Sequence, residues 1–562
     1  MTSTADGHGG PSLAIINGRV LTARRELPRA EAVGIRGAEI VAVGTSEDVR
    51  ATVPGAEIID AAGRTVLPGL IDAHNHFLAT GESLATIDVR YPEVGSVDEL
   101  VAAIAAAAGR APAGEPGYLH AYGFDHAKYD RTPTRWDLDR AAPRNPVLVG
   151  HVSGHYVLAN SLALQRSGVT DATPDPPGGR IDRDESGRPT GLFRDAAMGL
   201  VQPVAVDIGH HGPNFHVTAE PGELVAAVER AGRAYVAAGL TTVCDAQVTS
   251  RELRAYRDAR AEGRLLVRTV CMPLSHQLSD YQAIGMAGPF GDEWLSVGPM
   301  KFYCDGSLIG GTAAFSTESG LGADGGPGQE AEPGADAGVL YWEPGELAAA
   351  IEQAHLAGWQ IGVHAQGDAA IGIVLDAFAC ARQARPVPDP RFRIEHCGYP
   401  TAAQLARMRD LGVIAVCQPS YLHDSGDEFL DGMSRRVPGA AHRLQPLRDE
   451  LDLGIRVVLS SDSDVASYRP LDTIAAAVGR RTRSGRPIGP DQALTVGEAV
   501  LAHTIDAACA IRAEHRIGSL EPGKLADAVV LGGDLENCPP AEIGEMNIDV
   551  TVLGGQVTYR RA

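Results

Sequence analysis

Three things are scarce in this chain, and each scarcity excludes something. The eight cysteines are scattered and form no Cys-x-x-Cys pair. Reduced thiols explain that pattern better than a disulfide framework does. No apolar run reaches the length needed to span a bilayer. Residues 1–11 are small and polar and lack the apolar core of a secretory signal. Positive charge is also short: 49 Lys and Arg stand against 71 Asp and Glu, a formal net charge of −22. Such a field disfavours nucleic acid and anionic membrane as partners. The expectation is a cytoplasmic protein with neither kind of partner.

What remains is an ordinary globular composition, 44% hydrophobic and 21% charged. A chain of 562 residues exceeds one ordinary core, so two or more domains or one elaborated barrel are expected. Residues 12–66 read as short strands with turns at Asn17-Gly18 and around Gly37. The runs 527–531 and 550–557 repeat that texture at the other end. Neither end has enough strands for a stable sandwich alone. One composite β-sandwich domain, from 1–66 plus 515–562, is the economical solution.

Between the ends, eight strand-like runs alternate with helical patterns: 65–73, 241–245, 266–270, 301–305, 360–364, 393–397, 413–417 and 455–459. Eight such units predict an α/β fold, a (β/α)₈ barrel over 67–514 with its active site at the C-terminal ends of the strands. The gap from 77 to 240 is too long for one crossover, so a subdomain inserted after the first strand is expected at about 88–215. The Gly-rich acidic stretch 320–338 reads either as a loop over the barrel mouth or as a plain linker.

Residues able to bind metal recur at these strand ends. His74 and His76 close the first run, two positions apart and so on one side of a strand. His364 ends the fifth, His396 lies in the sixth, and Asp462 follows the eighth. Four histidines and an aspartate on one barrel face point to a metal site. Lys301 stands inside the fourth strand. A buried ammonium is costly, so it must be paired, deprotonated or chemically changed. A neutral amine that adds carbon dioxide becomes a carboxylate able to bridge two divalent cations. Pairing with Asp305, or reaching out of the barrel, are the alternatives from the residues alone.

These stretches resemble the amidohydrolase superfamily, and within it the group of YtcJ-like proteins and N-substituted formamide deformylases. The resemblance runs through residues 67–76, then Lys301-Phe302-Tyr303-Cys304-Asp305-Gly306-Ser307-Leu308, then 364–370, 393–396, Ser461-Asp462 and 518–527. Gly154-His155, Asn160 and 189–191 in the insertion also resemble that group. The resemblance implies that His74 and His76 bind the more buried metal and that Asp462 approaches it. It implies that a carboxylated Lys301 bridges to a second metal on His364 and His396. Zinc is the expected ion, one or two per chain, with two favoured. Asp462 would be the catalytic acid/base in cleaving a C–N amide bond of an N-substituted formamide or N-acyl amine. The expected partner is a small-molecule amide, with a homodimer left open. Gln366, Cys397 and His503 depart from the group's usual residues and bear on substrate.

Deamination or cyclic amide hydrolysis on the same barrel is the rival chemistry, and a catalytically inactive metal-binding scaffold is the non-enzymatic rival. Lys301 speaks against a deaminase, and Asp462 against a scaffold with no need of a proton shuttle. Asp125 and His155 either reach the mouth from the insertion or cap turns, the turn being favoured. Asp305 and Asp368 are expected to orient ligands or hold loops. His151, His210, His211 and His216 read as surface or structural residues.

Overall fold

The computed structural model describes residues 12–24, 26–110, 117–202, 221–321 and 338–562. His210, His211 and His216 and nearly all of 320–338 lie outside the described residues.

The barrel strands are β1 (Leu70–Asn75), β2 (Leu240–Val248), β3 (Arg268–Pro273), β4 (Met300–Tyr303), β5 (Ile361–Ala365), β6 (Arg393–His396), β7 (Ile414–Cys417) and β8 (Arg456–Leu459). β1, β2 and β3 pair in parallel, as do β4 through β8 in order. A parallel bridge from Leu274 to Lys301 joins β3 to β4. The ring closes beyond β8, where the Asp462 N–H donates to the His74 carbonyl at 2.9 Å and the His76 N–H to Ser463 at 2.7 Å.

Nearly every barrel-strand residue is buried, which is why these stretches read as continuous apolar runs rather than as alternations. Two cores divide them. Ile71, Ala73, Cys244, Ala246, Val270, Met272, Val416 and Val458 pack together with Ala507 and Ala508. Leu70, Val243, Phe302, Val363, Ile394 and Val457 pack against the surrounding helices. One such helix, Asp368–Ala384, buries Ile371, Val374, Leu375 and Phe378 at helical spacing.

Strands from both ends of the chain share one six-stranded sheet. Its order is Gln556–Arg560, Ile548–Leu553, Ala528–Leu531, Thr65–Pro68, Arg19–Leu21, Arg29–Ala30. A four-stranded sheet of Glu39–Gly44, Ala32–Arg36, Ser12–Ile16 and Glu57–Asp60 shares a core with it, including Leu13, Ile15, Val33, Ile35, Val66, Val530 and Val552. The single run 65–73 expected from sequence is therefore two strands. It divides at Gly69, where a Cβ would lie 2.2 Å from Thr241 Oγ1 and 2.9 Å from Asp527 Cβ. Only glycine lets the chain pass there from one sheet into the barrel.

After β1 the chain builds a six-stranded sheet running Gly179–Arg183, Pro189–Asp195, Tyr156–Ala159, Val147–His151, Leu119–Phe124, Ile87–Asp88. It has its own apolar clusters, around Leu100, Phe124 and Leu138 and around Val157, Leu164 and Phe193. All eight cysteines are free. Among the described residues, no helix is long and apolar enough to cross a membrane.

Candidate metal centre

The barrel gathers all six candidate side chains at one place. His74 belongs to β1 with His76 just beyond it, Lys301 to β4, His364 to β5 and His396 to β6, and Asp462 follows β8. None is more than 6% exposed. Asp462 Oδ1 lies 3.3 Å from His74 Nε2 and 3.0 Å from His76 Nε2. Its Oδ2 accepts from the Tyr421 hydroxyl. Lys301 Nζ is 3.5 Å from His74 Nε2 and 4.5 Å from the centre of the Tyr303 ring. The His396 ring centre lies 4.7 Å from that of His74 and 4.4 Å from that of His364.

Whether these residues suit a cation depends on which ring nitrogens keep a lone pair. Glu395 Oε2 is 2.6 Å from His74 Nδ1, and a carboxylate can only accept. His74 therefore carries its proton on Nδ1 and turns the lone pair of Nε2 toward Asp462. The Gly306 carbonyl, 2.9 Å from His364 Nε2, fixes the opposite tautomer and frees Nδ1. Gln418 Nε2 donates to Ser460 Oγ at 2.9 Å, so its Oε1 faces His396 Nδ1 at 2.9 Å and frees Nε2. A neutral imidazole whose far nitrogen donates to a fixed acceptor is the usual form of a metal-bound histidine. The donor set of imidazoles and one carboxylate fits a divalent cation such as zinc.

Electrostatics point the same way at His364 and His396. Burial drives His364 and His396 well below the ordinary histidine range, so both stay neutral. Burial also opposes ionisation of Asp462, but its close contacts with the His74 and His76 rings outweigh it and hold its carboxyl well below 3.8. His76 feels burial and the Asp462 carboxylate in opposition, and the carboxylate wins, raising it. Burial brings the Lys301 amine from 10.5 down to about 8, against the pull of Glu395 and Asp462. His396, Cys397 and Asp462 have φ of 75°, 45° and 54°. Non-glycine residues there are strained, and such strain gathers at functional sites.

The supporting roles of Glu395, Arg393 and Asp72 escaped the reading from sequence, whereas Asp305 and Asp368 were expected to orient ligands or hold loops. Glu395 is wholly buried and joined to Arg393 at 2.7 Å, an ion pair that holds the acceptor of His74 in place. Arg393 also donates to the Ala73 carbonyl at 2.8 Å, locking β6 to β1. A buried Arg-x-Glu before a strand-end histidine was the available signal. Asp72 accepts from Ser461 N–H at 3.0 Å and from Asn75 at 2.9 Å, setting the β8 end that carries Asp462. Asp305 accepts N–H bonds from Ala314, Gln366 and Gly367 at 2.9–3.0 Å, and burial lifts it to about 7. Asp368 accepts from Ser316 N–H at 2.9 Å. Both hold loops. Gln366 Oε1 accepts the Leu308 N–H at 3.0 Å, and His503 is buried against the Ile71 carbonyl at 3.2 Å.

The insertion behaves differently at its two candidates. Asp125 makes a turn, accepting Ala127 N–H at 3.0 Å and pairing with Lys128 at 3.1 Å. His155 is not a simple turn residue: it lines the same cavity as His74, His76, His364, His396 and Asp462. Asp125, His126 and His151 also form a close group. There the Ser153 N–H donates to His151 Nδ1 at 3.0 Å, which places the ring proton on Nε2, 3.0 Å from His126 Nδ1. The two rings hydrogen-bond to each other. His151 is buried, and burial keeps both rings neutral by pushing them below 6.5.

A barrel mouth with these donors and a buried lysine is the arrangement of a metal-dependent hydrolase. A model of the amidohydrolase family matches residues 57–559, and the chain belongs to that family. It is 32% identical to the N-substituted formamide deformylase of Arthrobacter pascens, over 98% of each chain. It is 27% identical to the putative amidohydrolase YtcJ of Bacillus subtilis, over 97% of this chain and 99% of that one. Among solved structures, an uncharacterized metal-dependent hydrolase from Pyrococcus horikoshii superposes with a TM-score of 0.73 at 25% identity, covering 94% of this chain and 99% of that one. The protein is a hydrolase acting on carbon–nitrogen bonds.

Proposed function

We propose that this protein is a zinc-dependent amidohydrolase that cleaves the C–N bond of an N-substituted formamide or a related N-acyl amine. The observation that carries the reading is the set of His74, His364 and His396 nitrogens, each freed by an acceptor on its far side, beside the Asp462 carboxylate. His74, His76 and Asp462 would hold one ion. His364 and His396 would hold a second, with Lys301 carboxylated between the two. The likeness to the Arthrobacter deformylase supports the substrate class.

A bound divalent ion supplies an acidified water and polarises a carbonyl. The chain's own residues do the rest. Asp462 takes the proton of the attacking water on a carboxylate oxygen and returns it to the departing nitrogen. Tyr421 fixes the rotamer of Asp462 through its hydroxyl. Glu395 and Arg393 keep His74 in one tautomer. Lys301 is enclosed and its amine is eased toward neutrality by burial, the form that adds carbon dioxide.

The test is amine release from a panel of N-formyl and N-acyl amines, with zinc-loaded and metal-stripped protein. Release by the loaded form alone is expected, and equal release by both would overturn the reading. Intact-mass analysis and electron density at the Lys301 tip decide the carboxylation. An unmodified lysine with one ion per chain would remove the two-ion arrangement.

A further inference from the structure

We propose that His155, carried in by the inserted subdomain, is a catalytic residue that accepts the substrate's amide N–H, so that the enzyme takes amides whose nitrogen bears a hydrogen. This rests on the amidohydrolase reading above. Tyr156–Ala159 and Pro189–Asp195 pair antiparallel, with Tyr156 opposite Arg194. The next step of that register sets His155 opposite Asp195, whose N–H donates to the His155 carbonyl at 2.8 Å. Across the same pair, His155 Nδ1 lies 2.7 Å from Asp195 Oδ1.

The arrangement is built rather than incidental. Asp195 is 2% exposed and has φ 49°, a strained position for a residue with a side chain. The Tyr341 hydroxyl donates to the same Oδ1 at 2.8 Å. Tyr341 is tied in turn to the strand that carries Lys301: its N–H donates to the Cys304 carbonyl at 3.0 Å. Insertion and barrel thus fix one imidazole together. Its ring centre lies 6.1 Å from that of His364.

The tautomer follows from the partner. A carboxylate only accepts, so the proton sits on Nδ1, and the other nitrogen keeps a lone pair. His155 lines the cavity that holds the candidate metal ligands. An amide N–H that enters a buried cavity without an acceptor forfeits its hydrogen bond. The neighbouring Gln366 Oε1 already accepts the Leu308 N–H and has only its second lone pair to offer. His155 is therefore placed as the acceptor. When the C–N bond breaks, its electron pair stays on nitrogen and takes the proton held by Asp462. The N–H shared with His155 is not broken and leaves with the amine.

The experiment compares kcat/KM for an N-methyl amide and the N,N-dimethyl amide of the same acid. Wild type is expected to favour the former by about 10- to 100-fold, the span of one unsatisfied hydrogen bond. His155→Ala brings the ratio near one, mainly by losing the N-methyl substrate. His155→Gln, which offers an amide oxygen, keeps part of the preference, and Asp195→Asn loses part of it with metal content unchanged. Binding of methyl N-butylcarbamate against its N-methyl derivative, read by calorimetry, should show the same preference. Asp464, a buried carboxylate lining the same cavity, is the rival acceptor. Equal handling of both amides by wild type, equal loss of both in His155→Ala, or a preference that vanishes in Asp464→Asn but persists in His155→Ala would each overturn the proposal. Absence of amine release from every amide would sink the amidohydrolase reading instead, and carbamates bound without preference would sink this one.

Discussion

Among the described residues stand two trios of a kind that could hold a metal ion, and by composition they are the same: two histidines and an aspartate. His74, His76 and Asp462 stand at the barrel mouth, and Asp125, His126 and His151 in the insertion. The difference lies on the far side of each ring. At the mouth, Glu395 takes the outer proton of His74 and leaves a lone pair facing inward. In the insertion, the Ser153 N–H occupies the outer nitrogen of His151, so its proton points inward, at His126. Asp125 is already taken by Lys128 and a turn N–H. One trio turns the His74 lone pair inward, where a cation would sit, and the other turns a ring proton inward onto its own second ring. Histidines in proximity do not make a metal site unless something holds the opposite nitrogen.

The largest effect should come from removing the one carboxylate among the mouth's donors. Asp462→Asn is expected to keep the fold and most of the metal yet lose turnover by about 10²–10⁴-fold, the usual worth of a general acid–base group. Steady-state kinetics on metal-assayed protein check this, and wild-type turnover would reduce Asp462 to a structural part. Next comes the far side of the ring. Glu395→Gln leaves every direct donor in place but lets His74 choose its tautomer, and metal affinity should fall by about 10- to 100-fold. Competition with a chelator measures it, and an unchanged affinity would break the comparison at its root.

A buried acid whose burial outweighs the pull of Arg480 sharpens the contrast. Glu450 is fully buried, with Cys417 Sγ 3.8 Å from its carboxylate, and burial lifts it from 4.5 to about 7. The sign is that of a raised acid. Its protonated form suits the fold, so its contribution is fully present below 4.5 and is lost as pH rises through about 7. Glu450→Gln should therefore gain stability relative to wild type between pH 5 and pH 8, by about 1–3 kcal/mol. Denaturant midpoints at the two pH values test this, and parallel profiles would refute it. The smallest effect is expected in the insertion, where His126→Ala should leave metal content and affinity unchanged. A variant that bound fewer ions per chain would make the second trio a site after all.

The contrast also explains what sequence showed and what it hid. His74, His76, His364, His396 and Asp462 were legible because each stands at or just past the end of an apolar run, and barrels place such ends together. Lys301 was legible because an ammonium inside a strand needs a reason. The composite sheet was legible from matching texture at the two ends. Glu395 was hidden, because its meaning lies in a contact with His74, 321 positions away. Tyr421, Gln418 and Asp195 were hidden for the same reason. The break at Gly69 was hidden because both sides of it are equally apolar, and only the close approach of Thr241 and Asp527 reveals it. His126 and His151 show the converse: their chemistry depends on a backbone N–H, which no residue type announces.

The most direct test of the central claim is anomalous diffraction at the zinc edge from crystals of zinc-loaded protein. Peaks bounded by His74, His76, His364, His396, Lys301 and Asp462, with none between Asp125, His126 and His151, are the expected result. A peak in the insertion with an empty barrel mouth would contradict it.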